Sequence, residues 1–167
     1  MDPHALMDQI AFVFQNSRLL KGSILDNVRL GRPQAAEADV LAALKAAQCM
    51  DIIEKLPAGI HTVIGTKGVY LSGGEQQRIA IARAFARGTE VMLVDEATAS
   101  LDPQTASQIN QVLLEKEGLT LIAITHRTNQ ELLEAYDEVL VLEQGELLEH
   151  GSYGSLSPQR KQLLALH

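Results

Sequence analysis

Four short stretches of this sequence carry side chains whose types and placing could do chemistry on a phosphate group. Ser72-Gly73-Gly74 stands directly before an apolar-striped run, Glu75 to Arg87. Two glycines leave backbone N–H groups exposed and allow a ligand to approach the main chain closely. The start of a helix adds partial positive charge and Ser72 adds a hydroxyl, a combination suited to an anion. Taken alone, the pair reads more simply as a glycine turn that starts a helix. Asp95-Glu96 follows the apolar run Val91 to Val94. Mg2+ keeps several waters and takes few carboxylates, so one acid there can hold it. A second acid beside it can orient or deprotonate a water that attacks a phosphate. Taken alone, these acids also fit a solvated loop. His126 closes the run TLIAIT and could donate a hydrogen bond to a phosphate oxygen, and Gln15 closes the run IAFVF. Each of these two, by itself, is also an ordinary residue at a strand end.

The elements around these residues decide whether they can meet. Ile10–Phe14, Val91–Val94 and Thr120–Thr125 are short apolar runs bounded by polar residues, and read as buried strands. Ala35 to Leu56 has apolar residues near helical spacing. Ser72 is a plausible N-cap for Glu75 to Arg87, with Gly88 as C-cap. Asp102-Pro103 is a strong helix start, and that helix runs to about Glu117. A helix around Gln130 to Tyr136, a hairpin turning at Glu143 to Glu146 and a helix from Gln159 to Leu166 complete the chain. Strands alternating with helices mark an α/β fold with a mainly parallel sheet, in which ligands sit at the carboxyl ends of strands. Gln15, Asp95-Glu96 and His126 then share one sheet edge, provided the three strands are parallel neighbours.

The 167 residues suit one domain, and 46% of them are hydrophobic, enough for a core. Trp is absent and aromatics make up 4%, so that core is aliphatic. The formal net charge of −7 argues against non-specific nucleic-acid binding, which needs clustered positive charge. The single cysteine, Cys49, lies in an apolar helical stretch and reads as a buried structural thiol. No run approaches the ~18 apolar residues of a membrane-spanning helix. The expectation for the chain alone is cytoplasmic, with any membrane contact made through another polypeptide.

Together the motifs are far more specific than any one of them, and the sequence resembles the ATP-binding cassette domain of ABC transporters. LSGGEQQR at 71–78 matches the family signature, VMLVDEA at 91–97 its Walker B strand and following glutamate, and ASLD at 99–102 its D-loop. ITHR at 124–127 matches the His switch and FVFQ at 12–15 the Q-loop, in the family order. LLKGSILDNVRLG at 19–31 and the Thr62, Gly65, Gly68 pattern look like the exporter branch, where this stretch helps couple the cassette to the membrane domain. That branch usually has Glu where this chain has Thr66.

The resemblance implies a P-loop NTPase-like ABC ATPase fold, with residues 16–88 as a helical signature subdomain, 1–15 and 89–155 as catalytic-core strands and 156–167 as a C-terminal helix. It implies ATP and Mg2+ as ligands. Asp95 would hold Mg2+, Glu96 would be the general base or water-orienting acid, and His126 would contact the γ-phosphate. Gln15 would sense Mg2+ and the attacking water. Ser72 and Gly74, with Gly73 between them, would serve a γ-phosphate bound on the opposite subunit, and Asp102 would join the halves of a head-to-tail dimer. Arg78 would be a structural ion-pair partner. The implied partners are a second ABC ATPase domain and a transmembrane domain, which would place the chain at the cytoplasmic face of a membrane.

A phosphate loop needs Gly-x-x-x-x-Gly-Lys-Ser/Thr, and no Gly in this chain is followed by Lys. The resemblance puts that loop upstream of Gln15, so the expectation is a domain lacking the N-terminal strands and P-loop, with open apolar strand edges, marginal stability and weak ATP binding on its own. The functional expectation is the ATPase part of an exporter, incomplete as it stands. The alternative is an inactive cassette that acts only as a binding partner. A DNA-repair or chromosome-organising cassette is disfavoured, because the segment from Gln15 to Ser72 is too compact for a coiled-coil insertion.

Overall fold

A computed structural model describes residues 7–65, 68–126 and 129–164. They form two compact units, Met1–Ile124 and Thr125–His167. In chain order the first holds β1 (Ile10–Val13), β2 (Gly22–Ser23), α1 (Ile24–Arg29), α2 (Glu37–Ala46), α3 (Met50–Lys55), β3 (Val63–Ile64), α4 (Gly73–Arg87), β4 (Val91–Asp95), α5 (Pro103–Leu114) and β5 (Thr120–Ile124). The second holds α6 (Gln130–Glu134), the antiparallel pair β6 (Val139–Glu143) and β7 (Glu146–Gly151), and α7 (Pro158–Leu164). Thr66 and Arg127, named above for the coupling stretch and the His switch, lie outside the described residues.

The three apolar runs form one parallel sheet in the order β1-β4-β5. Side chains alternate across a strand. Ala11, Val13, Met92 and Val94 are therefore buried on one face, with Leu121 and Ala123 packed against the same core. The other face is more open than the expected buried strands imply: among the described residues Phe12 is 37% exposed, Ile122 54%, and Phe14 and Ile124 58% each. The Phe12 and Phe14 rings stack with centroids 5.9 Å apart.

The central helix is α4. Its apolar stripe buries Ile79, Ile81, Ala82 and Phe85. Each large aliphatic side chain so buried contributes roughly 1.5–3 kcal/mol. The helix stops where Gly88 turns left-handed, φ 67°, a conformation that a Cβ disfavours. Against α4 pack α1, α2 and β1.

The helical run expected over residues 35–56 is broken in two. Ala47-Gln48-Cys49 separates α2 from α3, with Gln48 at φ 57° and the Cys49 amide donating to the Leu44 carbonyl at 2.8 Å. Val40 and Leu44 on one side and Ile52 and Ile53 on the other are all buried. The apolar spacing is helical on both sides of the turn, so it does not announce the break. Cys49 is fully buried, and that burial pushes its thiol up to about 12, so it stays an inert packing group at neutral pH. In the second unit, Gln144 and Gly145 both take positive φ at the tip of the hairpin, as a tight two-residue turn requires.

Candidate functional site

Parallel pairing brings the carboxyl ends of β1 and β4 side by side, with Val13 opposite Val94. Gln15 follows β1, and its Nε2 donates to Oε2 of Glu96 at 2.8 Å. Glu96 is reached through a sharp change of backbone direction. Asp95 is still in the ladder, opposite Ile124, whereas Glu96 sits at φ 48° with its amide donating to the Ile124 carbonyl at 2.9 Å. A left-handed non-glycine residue costs on the order of 1–3 kcal/mol and persists where its surroundings fix it. Here the β5 carbonyl fixes the backbone, and the Glu96 carboxylate is presented to Gln15. Asp95 is half-buried at the strand end.

The start of α4 is capped by Ser72. Its Oγ accepts from the Glu75 amide at 3.3 Å, while the Glu75 carboxylate accepts from the Ser72 amide at 2.7 Å and from its hydroxyl at 2.8 Å. The sequence S-x-x-E makes this reciprocal capping box. Gly73 and Gly74 are the first two helical residues, so no intrahelical carbonyl can reach their amides. A Cβ on Gly73 would meet nothing within 4 Å, and one on Gly74 would lie 3.6 Å from both the Ser100 carbonyl and Leu101. The glycine pair and the 99–102 stretch, distant in sequence, are thus neighbours. Asp102 caps α5 by accepting from the Thr105 amide at 3.0 Å, which holds its carboxyl below the usual carboxylate range.

His126 follows β5 in the chain, is exposed, and belongs to the second unit. The first unit therefore brings together Gln15 with Asp95 and Glu96, and Ser72, Gly73 and Gly74 with the stretch leading into Asp102. Among the described residues no group of three or more His, Cys, Asp or Glu is placed to hold a metal ion by itself. The oxygen donors at the strand ends, the Asp95 carboxylate and the Gln15 amide oxygen, fit a hard cation that takes its other ligands from water and phosphate.

Several residues that hold the site escape motif reading. Buried Gln77 donates to the Phe14 carbonyl at 2.9 Å. Buried Asn27 links Leu20 and Ser23 through its side-chain amide, and Arg83 donates to the Asn27 carbonyl at 2.9 Å and to its Oδ1 at 3.1 Å. Arg78 binds the Gln48 carbonyl and pairs with Asp51 at 2.8 Å, the structural role the resemblance implied. A polar residue on the apolar stripe of α4 is the only signal the sequence offers for Gln77.

Comparison with known proteins fits this geometry. The model of the ABC transporter family matches residues 2–99. The Heterocyst differentiation ATP-binding protein HepA of Nostoc sp. is 39% identical over 98% of this chain and 27% of its own length. An ATP-dependent lipid A-core flippase of Chromohalobacter salexigens is 40% identical over 97% of the chain and 28% of its own length. The solved structure of a bacterial Atm1-family ABC exporter with ATP bound superposes with a TM-score of 0.86 at 38% identity, covering 98% of this chain and 28% of that one. The chain thus spans little more than a quarter of the proteins it matches.

Proposed function

The chain belongs to the ABC transporter ATP-binding family, and from that premise we propose that it works as part of the ATPase domain of an exporter, coupling ATP hydrolysis to transport. The observation that carries the reading is the hydrogen bond between Gln15 and Glu96 at the ends of adjacent parallel strands. A carboxylate held there can accept the proton of an attacking water or orient it. Gln15 keeps that carboxylate aimed while leaving its own amide oxygen available. Asp95 and that oxygen would hold Mg2+, which when bound neutralises charge on the phosphate oxygens. His126 would donate to a phosphate oxygen.

The start of α4 serves a different nucleotide, one held by a facing ABC ATPase domain. Ser72, Gly73 and Gly74 would present a hydroxyl and two amides to its γ-phosphate, and Asp102 would join the two domains. The partners proposed are that second domain and a transmembrane domain, at the cytoplasmic face of a membrane. Residues 16–88 would be the helical signature part, 1–15 and 89–155 the core strands, and 156–167 a C-terminal helix. The relatives include a lipid A-core flippase and a beta-(1→2)glucan export protein.

The test pairs this chain with an exporter-type ABC ATPase domain whose own signature serine has been replaced. Restored ATP hydrolysis in the mixture, lost again with Gly74→Asp in this chain, is the expected result. A mixture as inactive as the crippled domain alone would overturn the reading of Ser72 to Gly74.

A further inference from the structure

We propose that Gln77 is a positioning residue for the Gln15–Glu96 contact, tying the helix that begins at Ser72 to the strand end that carries Gln15. The inference rests on the reading of that contact as part of an ATPase site. Gln77 is only 4% exposed. A buried amide without a partner is costly, and this one has its partner far away in sequence: Nε2 donates to the Phe14 carbonyl at 2.9 Å, 63 residues distant. That carbonyl lies beyond the β1 ladder and also accepts the Ser17 hydroxyl at 3.0 Å.

The Phe14 carbonyl and the Gln15 amide belong to one planar peptide group. Holding the oxygen therefore sets the direction in which the chain leaves for the Gln15 Cα, and with it the line from Gln15 Nε2 to the Glu96 carboxylate. At the other end of the link, Gln77 stands three residues beyond Gly74, on the same face of α4. Gly74 in turn lies against Ser100 and Leu101. A displacement of the first turn of α4 is thus passed through one side chain to the partner of Glu96, linking the two ligand-facing parts of the domain.

The experiment uses Gln77→Met, which keeps the length and removes the donor. Ser17 still satisfies the Phe14 carbonyl, so the fold is expected to persist, as checked by circular dichroism and thermal melting. In 1H–15N spectra of the 167-residue chain without nucleotide, the Gln15 side-chain amide pair is identified by its loss in Gln15→Ala. We expect that pair to shift in Gln77→Met. In the chain joined behind a relative's phosphate-loop segment and assembled with a second ABC ATPase domain, kcat should fall about ten- to a hundredfold with KM little changed, since small misplacements near the chemistry are expensive. In the Gln15→Ala background the same substitution should cost no more than about twofold, because the two residues act through one contact.

Gln15 signals that stay at their wild-type positions, or losses that multiply in the double variant, would overturn the proposal. Should Gln77→Met not fold, Gln77→Asn, which keeps an amide but falls one methylene short, gives the same decision. If the assembly with the phosphate-loop segment supplied shows no ATP hydrolysis, the ATPase reading fails, and the spectra still decide whether Gln77 positions Gln15.

Discussion

Gln15 and Glu96, 81 positions apart in the chain, are joined by a hydrogen bond of 2.8 Å from Nε2 to Oε2. The bond exists because β1 and β4 run parallel and in register, and because Glu96 leaves the ladder at φ 48°. If Glu96 takes or orients a water proton, then in this chain joined behind a relative's phosphate-loop segment and assembled with a second ABC ATPase domain, Glu96→Gln should lower kcat by about two to four orders of magnitude while nucleotide binding persists. Steady-state hydrolysis and a bound-nucleotide assay check this. Turnover within about twofold of wild type would remove Glu96 from the chemistry.

The Ser72 hydroxyl is engaged with the Glu75 carboxylate at 2.8 Å. On the proposed role of Ser72, a phosphate arriving there would have to displace a negative charge. Glu75→Gln keeps a capping side chain at that position and removes the charge. The expected outcome is a lower KM for ATP in the assembled domain pair, against a stability loss of about 0.3–1 kcal/mol from the weaker helix-dipole interaction. A raised KM would mean that the carboxylate helps binding instead of competing with it.

Arg78 is 14% exposed and Asp51 52%, so the two ends of their ion pair should contribute unequally. Arg78→Ala removes the donors to both Asp51 and the Gln48 carbonyl at the α2–α3 turn, and should cost about 1.5–3 kcal/mol. Asp51→Ala leaves the Gln48 contact in place and should cost below about 1 kcal/mol. Denaturant unfolding of both variants measures the difference, and equal losses would place the stabilisation in the ion pair alone.

Much of this site was legible in the sequence because strand ends and helix starts carry local signals. VMLVDEA and TLIAIT reveal apolar strands, Ser72 and Asp102 reveal caps, and the structure places β1, β4 and β5 as the parallel neighbours that the reading required. What was not legible depends on contacts between distant residues. The turn at Gln48 hides in a continuous apolar period and is gripped by a side chain from α4. Gln77 bonds Phe14 63 positions away and Arg83 bonds Asn27 56 positions away, and no local pattern names those partners. The exposed face of Phe12 and Ile122 likewise cannot be told from a buried one by counting apolar residues.

Acid should weaken the fold through its caps. Backbone hydrogen bonding from Thr105 lowers the Asp102 carboxyl, and the Ser23 side chain does the same for Asp26, each from an ordinary value of 3.8. A carboxyl lowered in the folded state stabilises above its unfolded value and loses that contribution as pH falls through the folded one. Stability should therefore hold to about pH 4 and decline below it. Asp102→Asn, which caps without titrating, should flatten that decline in thermal melts at stepped pH. An acid limb as steep as wild type would exclude Asp102 as a contributor.

Gly73 separates the demands of folding from those of a ligand. It is the first residue of α4, its φ is not in the left-handed region, and a Cβ there would meet nothing within 4 Å. Nothing in the chain itself therefore requires glycine. Gly73→Ala restricts the unfolded chain and should raise stability by about 0.4–1 kcal/mol. On the proposed role of the first turn, a methyl group would nevertheless crowd the phosphate that its amides serve. The expected pattern is a higher melting temperature for the chain together with slower ATP hydrolysis in the assembled domain pair, with the loss in KM if ground-state binding suffers and in kcat if only the transition state does. A more stable variant with undiminished turnover would show that close backbone approach at this glycine is not used.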